Sequence, residues 1–397
     1  MTTRSIFITG ATGILGSWVL AKALQRGYSP IVLTRDENEA KARLRLKAVL
    51  AIAGMPEDAA DKVEILLGDT AEPNFGLSDA QRQYIRDTAE FVIHSAACIS
   101  FSPRKSATLK AANVDSVVSM IELLDGTGIP LYHVSTAYVA GNHQGLALES
   151  GLLDTPCKTT YEQTKREAES LIDEAMASGR VKGATFRPAI IVGASTDGSI
   201  SQFFNFYSIL RMVDVLEHGK IEGSRKLRLQ GNPSSTLNLV TVDWVSEALW
   251  RILESEGASG QTYHLTNPAP CAQQELTDWA TSHLAPKGGA LGFTNVLKGE
   301  ITLAEKVANA SLMLYRAYLQ SEPLYDRTNT DRVLGSALPC PRITGELLTK
   351  MLEFARAQDW EGAFGCKLQG LLLDEAPGSQ IDISRLMRDI VEEPLAV

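Results

Sequence analysis

The sequence predicts an α/β protein in which a doubly wound parallel sheet is joined to a smaller, mostly helical C-terminal lobe. In the first half of the chain, short apolar runs rich in β-branched residues alternate with segments of helix length or longer. This order indicates parallel strands with helices on both faces of the sheet. After Gly193 the alternation becomes less regular, and from about Gln273 onward the chain is helical and loop-rich.

Six strand candidates follow one another in the first half, with the sequences "SIFITG", "SPIVLTR", "KVEILLGD", "EFVIHSAA", "PLYHVST" and "ATFRPAIIVG". Farther along, "DWVSEALWRILES" predicts a helix and "TYHLTNP" a further strand. Residues 301–320 predict one long apolar helix, because their apolar positions follow the helical period. These positions are Leu303, Val307, Ala310, Leu314 and Ala317.

The turn after the first strand contains three regularly spaced glycines. Gly10, Gly13 and Gly16 stand in "ITGATGILGSWVLAKAL", directly after a strand and at the start of a helix. Glycines here permit a tight turn and let backbone N–H groups approach a pyrophosphate at the positive end of the helix. The turn therefore predicts a dinucleotide-binding domain of the Rossmann type.

The end of the second strand bears on which dinucleotide is bound. An acidic residue at this place would hold the ribose hydroxyls of NAD, whereas the sequence here is "VLTRD". The guanidinium of Arg35 can pair with the 2′-phosphate of NADPH. Asp36 beside it is an acidic residue and would instead favour NAD. We therefore expect NADPH as the cofactor.

The stretch "CKTTYEQTKREAESLIDEAM" predicts an amphipathic helix with a lysine on its inward face. Tyr161, Lys165 and Ala168 recur at steps of four and three, the period of one helical face. The other charged positions, Glu162 and Glu169 among them, are expected to be mostly solvated. Lys165 by itself fits either a side chain that extends its stem to solvent or one that faces a binding site, and the dinucleotide site favours the second.

Tyr161 and Lys165 together suit the reduction of a carbonyl group. A tyrosine hydroxyl can protonate the oxygen that gains charge as a hydride arrives, and a nearby ammonium is expected to lower the pKa of the phenol. The same ammonium can bind the ribose of the nicotinamide. Ser135 and Thr136, at the carboxyl end of the fifth strand, are the candidate hydroxyls that would position the carbonyl oxygen.

Composition and charge exclude several other classes of protein. The chain has 397 residues, of which 44% are hydrophobic and 21% charged, as in soluble globular proteins. A net charge of −9 argues against nucleic acid or an anionic membrane as the main partner. Neither a membrane-spanning run nor a signal peptide is apparent, so a cytoplasmic location is expected. The five scattered cysteines and six histidines show no metal-ligand spacing, so we expect free thiols and no metal site.

Five motifs in this order resemble the extended short-chain dehydrogenase/reductase family. They are "TGATGILG", "HSAA", "STAYVAG", "YEQTK" and "FRPAIIVG", and the resemblance covers about residues 4–270. It implies that Thr136 is the active-site hydroxyl, Tyr161 the acid, Lys165 its partner and Asn113 a helper residue. The resemblance also implies a set of cofactor-binding residues: Gly10, Gly13, Gly16, Arg35, Asp69, Ala96, Tyr161, Lys165 and Pro188.

Two further stretches look like the thioester-reductase and fatty acyl-CoA reductase branch of that family. They are "LTRDENEAKARLRLKAVL" and the long segment from "VEILLGD" to "HSAACISF". The resemblance implies NADPH-dependent reduction of an acyl thioester to an aldehyde, with possible further reduction to an alcohol. The thioester would arrive on CoA or on a separate carrier protein, and the oligomeric state stays open.

Three other functions remain as alternatives. Reduction of a ketone or hydroxysteroid would use the same residues without loss of a thiol. A nucleotide-sugar epimerase would usually retain NAD, which Arg35 disfavours, and a non-catalytic NADP sensor would be expected to lack the Tyr161–Lys165 pair.

The domain organisation follows from the same patterns. Residues 1–270 are expected to form the NAD(P)-binding domain, with 194–240 contributing to a substrate lobe that residues 271–397 complete. Within the run "GSRKLRLQG", the basic residues Arg225, Lys226 and Arg228 are a candidate docking site for the phosphates of CoA or for an acidic carrier protein, or else an ordinary solvated strand.

Overall fold

A computed structural model describes residues 4–100, 103–217, 226–287 and 289–362 of the chain. Its strands, in chain order, are β1 (Ser5–Thr9), β2 (Ser29–Thr34), β3 (Glu64–Leu67), β4 (Ala89–His94), β5 (Pro130–Val134), β6 (Leu146–Ala147), β7 (Lys182–Pro188), β8 (Ile190–Val192), β9 (Lys226–Gln230), β10 (Thr236–Leu237), β11 (Leu239–Thr241), β12 (Thr262–Leu265), β13 (Cys271–Ala272), β14 (Ala290–Thr294) and β15 (Leu324–Tyr325).

The α-helices are α1 (Ile14–Gln25), α2 (Glu39–Ile52), α3 (Asp79–Thr88), α4 (Ser106–Lys110), α5 (Ser116–Leu124), α6 (Thr160–Ala177), α7 (Tyr207–Glu217), α8 (Val242–Leu253), α9 (Gln273–Leu284), α10 (Leu303–Ser311), α11 (Thr328–Leu334) and α12 (Gly345–Ala357). None of the helices in these described ranges is both long enough and apolar enough to cross a bilayer.

The main sheet has seven parallel strands in the order β12-β7-β5-β4-β1-β2-β3. Strand order reverses between β1 and β4, so the carboxyl ends of these two strands flank the crevice where open α/β sheets bind ligands. The predicted doubly wound α/β fold is confirmed, and each of the six strand candidates of the first half contains a strand of this sheet.

The strands are apolar throughout because helices cover both faces of the sheet. Within β1, Ile6 and Ile8 point to the layer that contains α1 and α8, where Trp250 is fully buried. Phe7 between them points to the opposite layer, where it packs in the same cluster as Ile172 of α6. Alternate residues thus fill two cores, which explains why a central parallel strand shows no polar alternation.

A second hydrophobic core lies outside the sheet and combines distant parts of the chain. It contains Leu210 of α7, Leu229 of β9, Leu276 of α9 and Met351 of α12, all fully buried. Residues 324–334 instead lie beside the main sheet: β15 pairs with β6 in a separate two-stranded sheet, and α11 packs against α8 and β12. The predicted domain boundary near residue 270 stays a prediction.

The basic run is partly explained by packing. Arg228 of β9 forms an ion pair with Glu305 of α10, at 2.5 Å between Nε and Oε1, and also donates to the carbonyl oxygens of Lys298 and Glu300. Its guanidinium therefore holds α10 in place and is not available to bind a phosphate. Arg225 lies outside the described residues, and the docking role predicted for this run has no support from Arg228.

Candidate active site

A single cavity joins the glycine turn to the residues expected to carry the chemistry. It lies at the carboxyl ends of the sheet strands, and Thr136, Tyr161 and Lys165 line it together with Pro188. Gly10, Gly13 and Gly16 line the same cavity. A dinucleotide on the glycine turn and a substrate beside Tyr161 would therefore share one cavity.

The glycine turn has no room for side chains. Gly10 has a φ of +72°, and a Cβ added to it would lie 2.6 Å from the backbone nitrogen of Ala96. A Cβ on Gly16 would lie 1.9 Å from the carbonyl oxygen of Gly10. Helix α1 begins at Ile14, and Gly13 before it provides no side-chain cap, so the first N–H groups of the helix remain available to an anion. The turn fits the pyrophosphate of a dinucleotide.

At the end of β2, Asp36 has an ion-pair partner and Arg35 has none among the described residues. Asp36 faces Arg45 of α2, with 3.5 Å between Oδ1 and Nη1. Arg35 is exposed and makes no hydrogen bond or ion pair with the residues that the structure describes. The guanidinium is thus available for a ligand, while the carboxylate that could compete with it has a partner.

Three of the predicted cofactor residues lie outside the lining of the cavity. Arg35, Asp69 and Ala96 follow β2, β3 and β4, at the same edge of the sheet as the glycine turn. The carboxylate of Asp69 accepts a hydrogen bond from the Ala71 backbone at 2.9 Å and so shapes the loop after β3. The backbone N–H of Ala96 donates to Thr9 Oγ1 at 3.3 Å.

Tyr161 and Lys165 occupy the first two turns of α6, which Thr159 caps by accepting a hydrogen bond from the Glu162 backbone at 3.2 Å. Lys165 is 1% exposed, which confirms that it faces inward. Its Nζ donates to the carbonyl oxygen of Val134 at 2.7 Å, and burial lowers its pKa to about 8. This lysine therefore does not extend to solvent.

The expectation that the pKa of Tyr161 is lowered is wrong for this structure. Burial raises the pKa of its phenol, and a hydrogen bond with the Thr136 hydroxyl offsets only part of that effect. Desolvation disfavours the phenolate, and the nearby Glu162 and Cys98 disfavour it further. Tyr161 is therefore held as a neutral hydroxyl at physiological pH, which suits it to donate a hydrogen bond or a proton.

Thr136 rather than Ser135 is the hydroxyl next to Tyr161. Ser135 Oγ donates to the carboxylate of Glu169 at 2.5 Å, so its hydrogen is already committed. Thr136 accepts a hydrogen bond from the Tyr138 backbone at 3.3 Å and lies 3.5 Å from the carbonyl oxygen of Pro188. The two candidate hydroxyls of the fifth strand are thus distinguished by their partners.

Asn113 is buried behind the cavity and does not line it. It lies in a π-helical turn, Ala111–Asp115, a geometry frequent at functional sites. Its amide accepts from the Cys98 backbone N–H at 2.8 Å and donates to the Cys98 carbonyl at 3.1 Å and to Thr164 Oγ1 at 3.0 Å. The side chain therefore holds the loop after β4 against α6, and its helper role stays a prediction.

Two carboxylates of α6 are buried, contrary to the expectation that the charged positions of this helix are mostly solvated. Glu169 is 0% exposed and pairs with Arg187 of β7, whose Nε donates to Oε1 at 2.8 Å. Glu162 is also 0% exposed, and its Oε2 accepts from the Lys158 backbone at 2.6 Å. The position of Glu169 four residues after Lys165 was a usable signal, because both then share one helical face.

Part of the cavity wall is formed by the second core. The helix predicted over 301–320 is wrong in its length, since α10 ends at Ser311 and a 3-10 turn, Met313–Tyr315, follows. The helix ends because Leu312 leaves the helical conformation, with φ −95° and ψ 2°. The chain beyond it brings Tyr315, Tyr318 and Leu319 to the cavity wall.

Comparison with known proteins places this geometry in a family. A family model described as male sterility protein matches residues 8–249. The large subunit of L-2-aminoadipate reductase from Candida glabrata is 29% identical over 273 residues, which are 62% of this chain and 19% of that protein. The chain thus spans less than a fifth of that relative.

Two solved structures share the fold. The terminal R domain of the myxalamid PKS-NRPS pathway has a TM-score of 0.73 at 22% identity, over 91% of this chain and 92% of that one. A thiolation-reductase di-domain of an archaeal non-ribosomal peptide synthetase has a TM-score of 0.69 at 16% identity, over 90% and 76%.

The match over 8–249 contains the glycine turn, Thr136, Tyr161 and Lys165. The chain belongs to the male sterility protein family, in the thioester-reductase branch of the extended short-chain dehydrogenase/reductases, and it is an oxidoreductase that uses a nicotinamide cofactor.

Proposed function

We propose that this protein uses NADPH to reduce an acyl thioester to an aldehyde. The observation that carries the proposal is that Thr136, Tyr161 and Lys165 line one cavity with Gly10 and the rest of the glycine turn. A carbonyl group placed beside the two hydroxyls would lie within the same space as a nicotinamide ring. This arrangement supports carbonyl reduction, and membership of the thioester-reductase branch supports a thioester as the source of the carbonyl.

In the proposed reaction, the cofactor, the two hydroxyls and the lysine each have a separate role. The bound cofactor supplies the hydride that adds to the carbonyl carbon. The hydroxyls of Thr136 and Tyr161 donate hydrogen bonds to the oxygen as it becomes negative, which stabilises the transition state in a site shielded from water. Lys165, held by the Val134 carbonyl, binds the ribose and adds positive charge to the site.

The carbon–sulfur bond then breaks as the carbonyl re-forms. The electron pair leaves with sulfur, the thiolate takes up one proton, and each turnover consumes one hydride and one proton for one aldehyde and one thiol. A neutral Tyr161 fits this direction, because the oxygen needs a hydrogen-bond donor and not a base.

The thioester is proposed to arrive on a separate carrier protein or on CoA. A solved relative in which a reductase is joined to a thiolation domain supports the carrier protein. We also propose that residues 1–270 bind the cofactor and that 271–397, with 194–240, bind the substrate. The second core, which supplies Ile209 and Leu319 to the cavity wall, supports this division.

The test is incubation of the protein and NADPH with acyl thioesters on CoA and on a carrier protein, and in parallel with ketones and nucleotide sugars. We expect loss of NADPH absorbance together with equimolar free thiol and an aldehyde that hydrazine traps. Oxidation of NADPH with ketones, and with no thioester on either carrier, would instead establish a ketone reductase.

A further inference from the structure

The cavity wall is unusual for its lack of charge. Among the described residues that line the cavity, Lys165 is the single side chain with a formal charge at neutral pH, and its Nζ already donates to the Val134 carbonyl. The substrate side consists of apolar and aromatic groups, such as Ile190, Phe206 and Leu237. A charged group brought into this region would find no counterion on the described wall.

Two amide side chains, Gln202 and Asn205, interrupt this apolar wall. Gln202 lines the cavity and is 7% exposed, yet its amide makes no hydrogen bond to any of the residues that the structure describes. Buried amides nearly always have hydrogen-bond partners, so one that faces a cavity without any is available to a ligand.

The position of Gln202 is fixed by its neighbours. Ser201 and Phe203 on either side are buried, and the Phe203 ring packs against Trp360 with 5.7 Å between ring centroids. The loop therefore cannot easily turn the amide of Gln202 out to solvent.

We infer that the cavity takes an acyl group that is uncharged and predominantly apolar, and that Gln202 binds one neutral polar group of the same substrate. The inference rests on the proposed thioester reduction and specifies its substrate class. The neutral group is an amide or a hydroxyl, supplied either by the pantetheine arm that carries the thioester or by the acyl chain itself.

This substrate class differs from the one in the name of the aminoadipate reductase relative. A 2-aminoadipoyl group carries an ammonium and a carboxylate, and burial of either without a partner is strongly unfavourable. The described wall supplies neither an acidic residue for the ammonium nor an uncommitted basic residue for the carboxylate.

The first experiment compares pantetheine thioesters of similar length: hexanoyl, 6-aminohexanoyl, adipoyl and 2-aminoadipoyl. We expect kcat/KM for the hexanoyl thioester to exceed that of each charged one by about 100-fold or more, because an unpaired charge must be buried. Equal kcat/KM across the four thioesters would overturn the inference while leaving thioester reduction intact.

Binding without turnover separates the inference from the proposed reaction. Calorimetry in the presence of NADP⁺ would compare S-hexylpantetheine with its 6-amino counterpart, both unreactive thioethers. Tighter binding of the uncharged thioether is expected. Equal affinities would count against the inference, and a lack of turnover with every thioester would count only against the proposed reaction.

The role of Gln202 is tested by Gln202→Met, which keeps the length of the side chain and removes the amide. We expect KM for hexanoyl-pantetheine to rise about two- to tenfold, the range for one neutral hydrogen bond, with kcat nearly unchanged. Gln274→Met is the matched control, because Gln274 donates to Asp278 on α9 and does not line the cavity. Unchanged KM values for every substrate would remove Gln202 from the site.

Two comparisons show which part of the substrate carries the neutral group that Gln202 binds. A rise in KM for the pantetheine thioester but not for the ethanethiol thioester of hexanoate would assign the group to the pantetheine arm. A rise confined to acyl chains with an amide or hydroxyl would assign it to the acyl group. If the group belongs to the acyl chain, Gln202→Glu should shift the preference toward 6-aminohexanoyl, since the new carboxylate pairs with its ammonium, and no such shift would contradict a contact with the acyl group.

Discussion

Lys165 Nζ donates a hydrogen bond to the carbonyl oxygen of Val134 at 2.7 Å, which places the ammonium at the carboxyl end of the strand that precedes Thr136. The bond fixes a buried positive charge beneath the cavity, where the ribose of the cofactor would lie. The bond also holds α6 against the sheet. It therefore fixes the position of the Lys165 ammonium relative to the Thr136 hydroxyl.

The pH dependence of activity should reveal this lysine. Because burial lowers its pKa to about 8, the charged form, which we propose binds the ribose, is lost as pH rises through that value. We expect kcat/KM to fall above pH ~8, and Lys165→Arg, whose charge does not titrate there, to lack this fall. Lys158→Arg is the control, because Lys158 donates to the Ser321 carbonyl and does not line the cavity. If kcat/KM of Lys158→Arg no longer fell above pH ~8, the titrating group would be Lys158 and not Lys165.

Removal of the Tyr161 hydroxyl tests the proposed acid. Tyr161→Phe should lower kcat by about 100-fold or more while leaving NADPH binding nearly unchanged, because the donor acts on the substrate oxygen. Single-turnover kinetics and cofactor fluorescence would measure the two effects. Tyr84→Phe, which alters a surface tyrosine bonded to Glu64, should retain full activity. Near-normal turnover of the first variant would show that another group supplies the hydrogen bond.

Arg35 is predicted to select NADPH over NADH. Arg35→Ala should raise KM for NADPH by about tenfold or more and change KM for NADH little, because only NADPH presents a 2′-phosphate to the guanidinium. Lys41→Ala is a suitable comparison, since Lys41 is a nearby exposed base paired with Glu37. A similar loss with both dinucleotides would argue that Arg35 acts on the fold and not on the phosphate.

Removing one member of the buried Glu169–Arg187 ion pair should destabilise the fold. Arg187→Met would leave the Glu169 carboxylate buried without its counterion, and we expect a loss of about 3–5 kcal/mol in the free energy of unfolding. Adding Glu169→Leu to that variant should recover much of the loss, because the unpaired carboxylate is then removed. Urea denaturation of both variants provides the measurement, and equal stability of the single and double variants would contradict the assignment.

Much of the fold was predictable because the decisive patterns are local. A strand covered on both faces must be apolar throughout, which makes "SIFITG" and "EFVIHSAA" recognisable without their neighbours. The glycine turn is equally local, since the strand before it and the helix after it adjoin in sequence. Tyr161 and Lys165 share a face because of the helical period alone.

Other features depend on partners that are distant in the chain. Nothing near Glu169 reveals that Arg187 will neutralise it, so the helix pattern alone assigned it to solvent. The pKa of Tyr161 depends on how deeply the assembled site is buried, and burial outweighs the opposing effect of its hydrogen bond with Thr136. The end of α10 was hidden because an apolar period continues past Leu312 in the sequence, while the backbone turns there toward the cavity.

The sequence by itself thus determined the α/β class, the dinucleotide turn and the pairing of a tyrosine with a lysine, because each depends on residues within one or two turns of chain. Only the tertiary structure decided which hydroxyl faces Tyr161, which carboxylates are buried and which amide reaches the cavity. These outcomes depend on the contacts that Thr136, Glu169 and Phe203, the neighbour of Gln202, make with segments far away in sequence, and packing alone brings those segments together.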